Sequence, residues 1–353
     1  MSNTRIRNSF VTLFLLGGFI LAGTFLFLPK PCRAGLSTKN QIPEFFGISR
    51  WLNRKTPLTR KSLEGKVAIV SFWNYSCLEC LKQMSYLAMW QSKYEDYPFR
   101  VVTIHTPRYE FEKAPENVEQ AVKKLEILLP VALDPDGVMW RAYNRPAKPV
   151  YFIADGRGRI RHISPEKPDY AKEEAVIQDL LREMGKEVME EIKMDPKKPG
   201  ADGSPEILFG FRDLSHYGNE TRPQADMPLT FIKPAELKSG FYYLSGKWSF
   251  EGDAAVALKK GCELAIPFRG SRVFIIAGSL RNNPVPVQVV LDGKALTKQI
   301  LGRDAKLQKE DGYLQINDDG PYEVVKGLDP AEPHVIELVF EDPDTRVYAA
   351  VFD

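Results

Sequence analysis

At 353 residues the chain is longer than one ordinary domain, and with 44% of its residues hydrophobic it can bury two separate cores. Its 48 basic and 46 acidic residues leave a net charge of +2 spread along the whole length. That distribution lacks the concentrated basic stripe a phosphate backbone requires, so nucleic acid is excluded as a partner.

Residues 1–34 read as a separate unit. Arg5 and Arg7 precede an uncharged run from Ser9 to Leu28, long enough to cross roughly 30 Å of hydrocarbon at about 1.5 Å per residue. The cationic start keeps the N-terminus in the cytoplasm and sends the rest of the chain across the membrane. Pro29 and Pro31 end the run, and Ala34 closes a loose small-residue cleavage pattern. A cleaved signal peptide and a retained membrane anchor both stay open. Cys32 invites a lipoprotein reading, which the preceding Pro-Lys-Pro speaks against. In each case the folded part works outside the cytoplasm, in the periplasm or tethered to the inner membrane.

Residues 35–194 carry the pattern of an α/β domain. Lys66 to Trp73 is β-branched and aromatic, as in a strand buried on both faces. From Leu78 to about Tyr94 the residues Leu81, Met84, Leu87, Ala88 and Trp90 recur at helical spacing. A second buried strand follows at Phe99 to Ile104, and a helix at Pro115 to Leu128 with its proline in the first turn. Pro149 introduces a strand, Asp155-Gly156-Arg157-Gly158 turns it, and Arg159 to Ile163 pairs back. A last helix runs from about Asp169 to Lys193. This order predicts a sheet covered by helices on both faces, parallel strands first and an antiparallel hairpin last.

Residues 195–205, with Pro196, Pro199 and Pro205 and two glycines, read as a linker. Beyond it, over 206–353, short alternating runs (Val273 to Ala277, Val285 to Leu291, Val335 to Phe340) are separated by Asp292-Gly293, Asp311-Gly312 and Asp319-Gly320. That is the signature of an all-β sandwich or jelly roll.

The four cysteines locate the chemistry. Cys32 lies in the export segment and Cys262 stands alone, which leaves Cys77 and Cys80 as the local pair. A bridge closing so short a loop restrains the unfolded chain little, so a purely structural role is a poor explanation. Cys77 starts a helix, where unpaired backbone N–H groups and the positive end of the helix dipole favour a thiolate. Cys80, one turn later, is placed to attack a mixed disulfide formed at Cys77. A zinc site would need a second ligand pair that the chain does not offer at suitable spacing, so no metal is expected. No cofactor beyond the Cys77–Cys80 couple is implied.

The stretch SFWNYSCLECLKQMSYL, with the HTP-x-x-x-FE segment and the long region after it, resembles the thioredoxin domain of DipZ-type, TlpA-like redoxins over about residues 60 to 185. The tail resembles the carbohydrate-binding-module-like domain that follows it in that family. The resemblance implies a thiol–disulfide oxidoreductase, a reductase or isomerase of exported protein disulfides, apocytochromes among them, fed by a membrane thiol carrier. It also implies a cis-proline opposite the sulfurs. Pro149 matches the family pattern, with Pro146 as the alternative. Two departures stand out: Ser71 and Gln83 occupy positions where relatives carry acids. Glu79 is then a substitute proton acceptor or a solvated helix residue, and His105 a proton shuttle or a structural histidine. Trp73 and Tyr75 pack around the motif. A negative neighbour at Glu79 and no histidine between the cysteines favour a reducing couple.

In the C-terminal part Phe241, Tyr242, Tyr243, Trp248, Tyr313 and Tyr322 are numerous enough for a sugar-stacking platform and equally for a sandwich core. Glycan binding, docking and scaffolding therefore stay open there. Two other functions compete with the leading one: a thiol peroxidase, and an envelope glycan- or protein-binding protein whose redoxin domain is vestigial.

Overall fold

The computed structural model describes residues 40–144, 148–165, 167–188, 204–280 and 284–353. The apolar run at Ser9 to Leu28, Cys32, Pro146 and linker residues 195–203 lie outside them. Among the described residues no helix is long and apolar enough to cross a membrane.

The first domain is built on a six-stranded sheet. Its elements are β1 (Arg50–Leu52), β2 (Val67–Trp73), α1 (Leu78–Lys93), β3 (Phe99–His105), α2 (Pro115–Lys124), β4 (Val131–Leu133), α3 (Val138–Tyr143), β5 (Val150–Ala154), β6 (Ile160–Ile163) and α4 (Tyr170–Glu183). The strand order is β1-β4-β3-β2-β5-β6, with β2-β3 and β3-β4 parallel and the other pairs antiparallel. All seven residues of β2 are buried, because helices cover both faces. Val67, Ile69 and Trp73 meet Met84, Leu87, Val118, Ile177 and Leu181 on one side. Ala68, Val70 and Phe72 meet Leu63, Met139 and Tyr143 on the other. The period of two along the strand thus feeds two cores.

Two expectations for this domain need correction. Helix α4 stops at Glu183, well short of Lys193: Met184 caps it and Gly185 follows at φ +74°, a conformation that ends helices. Helix α2 stops at Lys124, because Glu126 turns left-handed at φ +53°, and Leu128 is left 87% exposed. The sequence pattern also passed over β1, β4 and α3, short elements of three, three and six residues that carry too few repeats to show a period.

The C-terminal domain is antiparallel throughout its strand pairs and is folded into two sheets sharing the strand Tyr243–Phe250. Residues 243–245 of that strand pair with Cys262–Phe268, and 248–250 pair with Ala255–Ala257. The corner between them falls at Gly246, φ +91°, where an added Cβ would sit 3.1 Å from Cys262 Sγ. Only glycine suits both the conformation and the space. Asp292-Gly293 forms the expected two-residue hairpin, with both residues at positive φ. Asp311-Gly312 does not turn: it opens the strand Asp311–Ile316, and Lys309 and Glu310 make the turn before it. Tyr242, Tyr243, Trp248 and Tyr322 are buried in or beside the sandwich core, so four of the six candidate aromatics are unavailable as a sugar-stacking platform.

The two domains share an interface. The Arg108 guanidinium makes two bonds to the Glu206 carboxylate, at 2.8 and 2.9 Å. Tyr109 and Phe111 rest on Tyr348, with ring centroids 5.1 and 4.9 Å apart. Lys82 of α1 pairs with Asp353, which also pairs with Arg272.

Candidate active site

Cys77 is the N-cap of α1, and its sulfur accepts a hydrogen bond from the Cys80 N–H at 3.1 Å. The two sulfurs are bonded to each other. Cys80 is fully buried against Met84, Leu87 and Trp90, whereas Cys77 is partly exposed. An incoming thiolate therefore meets Cys77 first. The helix terminus beside it stabilises the charge that develops on that sulfur when the bridge opens. A groove of about 830 Å³ runs along α1 from Leu78, with Phe274, Arg272 and Pro321 on its far wall.

Under the dithiol, Ser71 and Gln83 form a neutral pair. Gln83 Nε2 donates to Ser71 Oγ at 2.8 Å, both side chains being buried. Each satisfies part of the other's hydrogen-bonding demand, and neither is charged.

The remaining candidates separate clearly. The Lys148–Pro149 peptide is cis, and the pairing of Val150 with Phe72 brings Pro149 to the end of β2 that leads into the motif. Trp73 is buried and meets His105 edge-on at 5.2 Å. His105 is buried, stacks on Tyr75 at 5.6 Å, and its Nε2 has no hydrogen-bond partner among the described residues. Burial, with Lys148 nearby, pushes its pKa down to about 3, so the ring is neutral at physiological pH. Glu79 points to solvent and pairs with Lys82 at 2.7 Å. The structure thus keeps Glu79 apart from the buried side of the site, where Cys80 lies.

The residue the sequence did not single out is Glu112. It lies in the short turn Glu110–Lys113 just past β3, is 1% exposed, and accepts hydrogen bonds from Asn74 Nδ2, Ser76 N, Arg108 N and Tyr109 N. Burial raises its pKa, and the donors around it oppose that rise. Lys148, next to Pro149, is half-buried; desolvation lowers its pKa to about 8 although Glu112 attracts its charge. The signal for Glu112 was the FE of the HTP-x-x-x-FE segment. Composition gave no reason to rank it above Glu110, two residues earlier.

Comparison with known proteins agrees with both halves. Residues 39–163 match the AhpC/TSA family, and residues 204–352 match the thioredoxin-like C-terminal domain. Protein DipZ of Mycobacterium bovis is 30% identical over 275 residues, spanning 76% of this chain. The chain is a homologue of DipZ. It spans 39% of that DipZ's own length. The thiol-disulfide oxidoreductase ResA of Bacillus thuringiensis is 25% identical over 114 residues, 32% of this chain and 62% of ResA. A thioredoxin-like protein solved in its oxidised form aligns at 28% identity and a TM-score of 0.37, covering 41% of this chain and 98% of its own. For the C-terminal part the match is to the thioredoxin-like C-terminal domain, which does not show carbohydrate binding.

Proposed function

We propose that the chain is an extracytoplasmic thiol–disulfide oxidoreductase that reduces or isomerises disulfides of exported proteins. The observation that carries this reading is the asymmetry of the pair: Cys77 partly exposed at the start of α1, Cys80 buried behind it.

In the reduced enzyme the Cys77 thiolate attacks one sulfur of a substrate disulfide. That S–S bond breaks, one substrate thiolate leaves and takes up a proton, and a Cys77–substrate bond forms. Cys80, deprotonated, then attacks Cys77 Sγ, and the second substrate thiolate leaves. Two electrons have passed to the substrate, and the Cys77–Cys80 bridge remains to be reduced by a thiol donor. A membrane thiol carrier fits that role, and apocytochromes fit the substrate class, given the uncharged run at Ser9 to Leu28 and the similarity to DipZ. The neutral Ser71–Gln83 pair adds no negative charge beneath Cys80.

The match of residues 39–163 to the AhpC/TSA family supports a second reading, a thiol peroxidase. Insulin reduction and peroxide turnover, measured side by side, separate them. The expected result is insulin reduction that Cys77→Ser abolishes, and Cys80→Ala accumulating a mixed disulfide with its substrates. Peroxide turnover that survives Cys80→Ala, with no insulin reduction, would overturn the proposal.

A further inference from the structure

We propose that Glu112 is the positioning residue of the Cys77–Cys80 couple, and that the C-terminal domain acts on the couple through the loop Glu112 holds. The inference rests on the proposed redox role and adds a control built from both domains.

The segment Asn74-Tyr75-Ser76 delivers Cys77 to the start of α1, and Cys77 N donates to Asn74 O at 3.3 Å. Glu112 grips this segment twice. Its Oε2 accepts from Asn74 Nδ2 at 3.1 Å, and its Oε1 accepts from Ser76 N at 3.2 Å. The same carboxylate closes its own loop by accepting from Arg108 N at 2.6 Å and Tyr109 N at 3.1 Å. Four donors converge on two oxygens, and none of these contacts asks the carboxyl to donate. A cage of that kind is built for the ionised form.

The loop on the other side of Glu112 is where the C-terminal domain docks. Arg108 is fixed by Glu206, while Tyr109 and Phe111 join Leu208, Ala254, Ile276, Tyr348 and Ala349 in one apolar cluster. Tyr75 lies under the same roof: it contacts Phe111 at 5.9 Å between ring centroids, and a Cβ at Gly320 would stand 3.9 Å from its Cε2. The seam therefore both dries the carboxylate and immobilises the turn that presents Cys77.

A dry negative charge beside the couple penalises the thiolate formed on reduction and so favours the disulfide, which makes the reduced enzyme a better electron donor. Loosening the seam admits water, screens that charge and weakens the bias.

The test equilibrates the full chain with glutathione buffers, traps the thiols by alkylation and reads the reduced fraction by mass, with circular dichroism to check the fold. Glu112→Gln is expected to shift the equilibrium about tenfold towards the dithiol, equivalent to ~30 mV, and to lower the pKa of Cys77 read from thiolate absorbance. A double variant, Arg108→Ala with Tyr348→Ala, leaves Glu112 and its backbone donors in place. It is expected to shift the equilibrium the same way by about threefold, and it carries the test if Glu112→Gln does not fold. A folded Glu112→Gln within twofold of wild type overturns the role of Glu112; an unshifted double variant overturns the role of the C-terminal domain. Because glutathione is the only exchange partner, a wild type that fails to reduce insulin counts against the proposed function and leaves this equilibrium readable.

Discussion

The two halves of the molecule bury different things. Of the 16 buried polar or charged side chains among the described residues, 14 lie between Ser71 and Gln178, and only Asn219 and Thr345 lie in the C-terminal domain. Burying a polar group costs free energy unless its partners are in place, so a domain that retains many of them is holding groups for a purpose other than cohesion. The C-terminal sandwich is an apolar body; the first domain is an apolar body with a polar seam running from Ser71 and Gln83 under the dithiol to His105 and Glu112 beside it. Chemistry belongs to the second kind of interior, and the first kind supplies a rigid wall against it.

That contrast can be broken by mutation in the wall. Trp248 is fully buried, meets Phe340 edge-on at 5.3 Å and donates from Nε1 to Ser245 O at 2.8 Å. Trp248→Ala is expected to destabilise the protein by about 3–5 kcal/mol. At temperatures where the variant is still folded, its glutathione equilibrium should match wild type. Urea unfolding and thiol trapping on the same sample check both halves of the statement, and a changed equilibrium would mean that the sandwich core, and not only its docked edge, reaches the dithiol.

The first domain was legible in the sequence because its long elements repeat. The run from Lys66 to Trp73 and the helical spacing after Leu78 each carry enough apolar residues to reveal a period, and Cys77 at their junction follows from that. Three-residue strands such as β1 and β4 carry no period and were invisible. The sandwich was legible as a class from its alternation and turn residues. Its aromatics left two readings open, because alternation says which residues share a face and not which face is covered. Glu112 was hidden for a different reason. Its importance lies in four donors brought from Asn74, Ser76, Arg108 and Tyr109 by tertiary folding, and no local pattern encodes that convergence. Glu79 drew notice for the opposite reason, adjacency to Cys80 in the chain, and the helix turns it outward to Lys82.

The polar seam also predicts a pH signature. His105 has a folded pKa near 3 against an unfolded value of about 6.5. The unfolded chain therefore binds the proton more readily, so the stability this residue contributes is complete above about pH 6.5 and is lost as the pH falls from there towards 3. The slope is up to about 1.4 kcal/mol per pH unit. Glu112 works in the other direction, since its raised pKa relieves the folded state as the pH drops. His105→Phe keeps a ring against Trp73 and Tyr75 and removes the titration. Between pH 7 and pH 4.5 the variant is expected to lose less stability than wild type by about 2–3 kcal/mol. Urea midpoints at the two pH values check this, and parallel losses in the two proteins would mean that His105 is charged or hydrated in the fold.

The smallest expected effect discriminates most finely between the buried and the exposed carboxylate beside the dithiol. Glu79 is next to Cys80 in sequence, but its side chain is 65% exposed and is shared with Lys82, itself held by Asp353. A charge in that setting is screened by water, salt and its own partner, and exposed pairs of this kind contribute little. Glu79→Gln is therefore expected to leave the glutathione equilibrium within about twofold of wild type at physiological salt, although it removes a negative charge as completely as Glu112→Gln does. Measuring the two variants in parallel at low and high salt separates charge number from charge environment. If Glu79→Gln shifts the couple as far as Glu112→Gln, simple proximity along the helix governs the dithiol and the dry seam does not. If Glu79→Gln is silent at both salt concentrations while Glu112→Gln is not, the couple responds to the carboxylate that the fold has taken out of water.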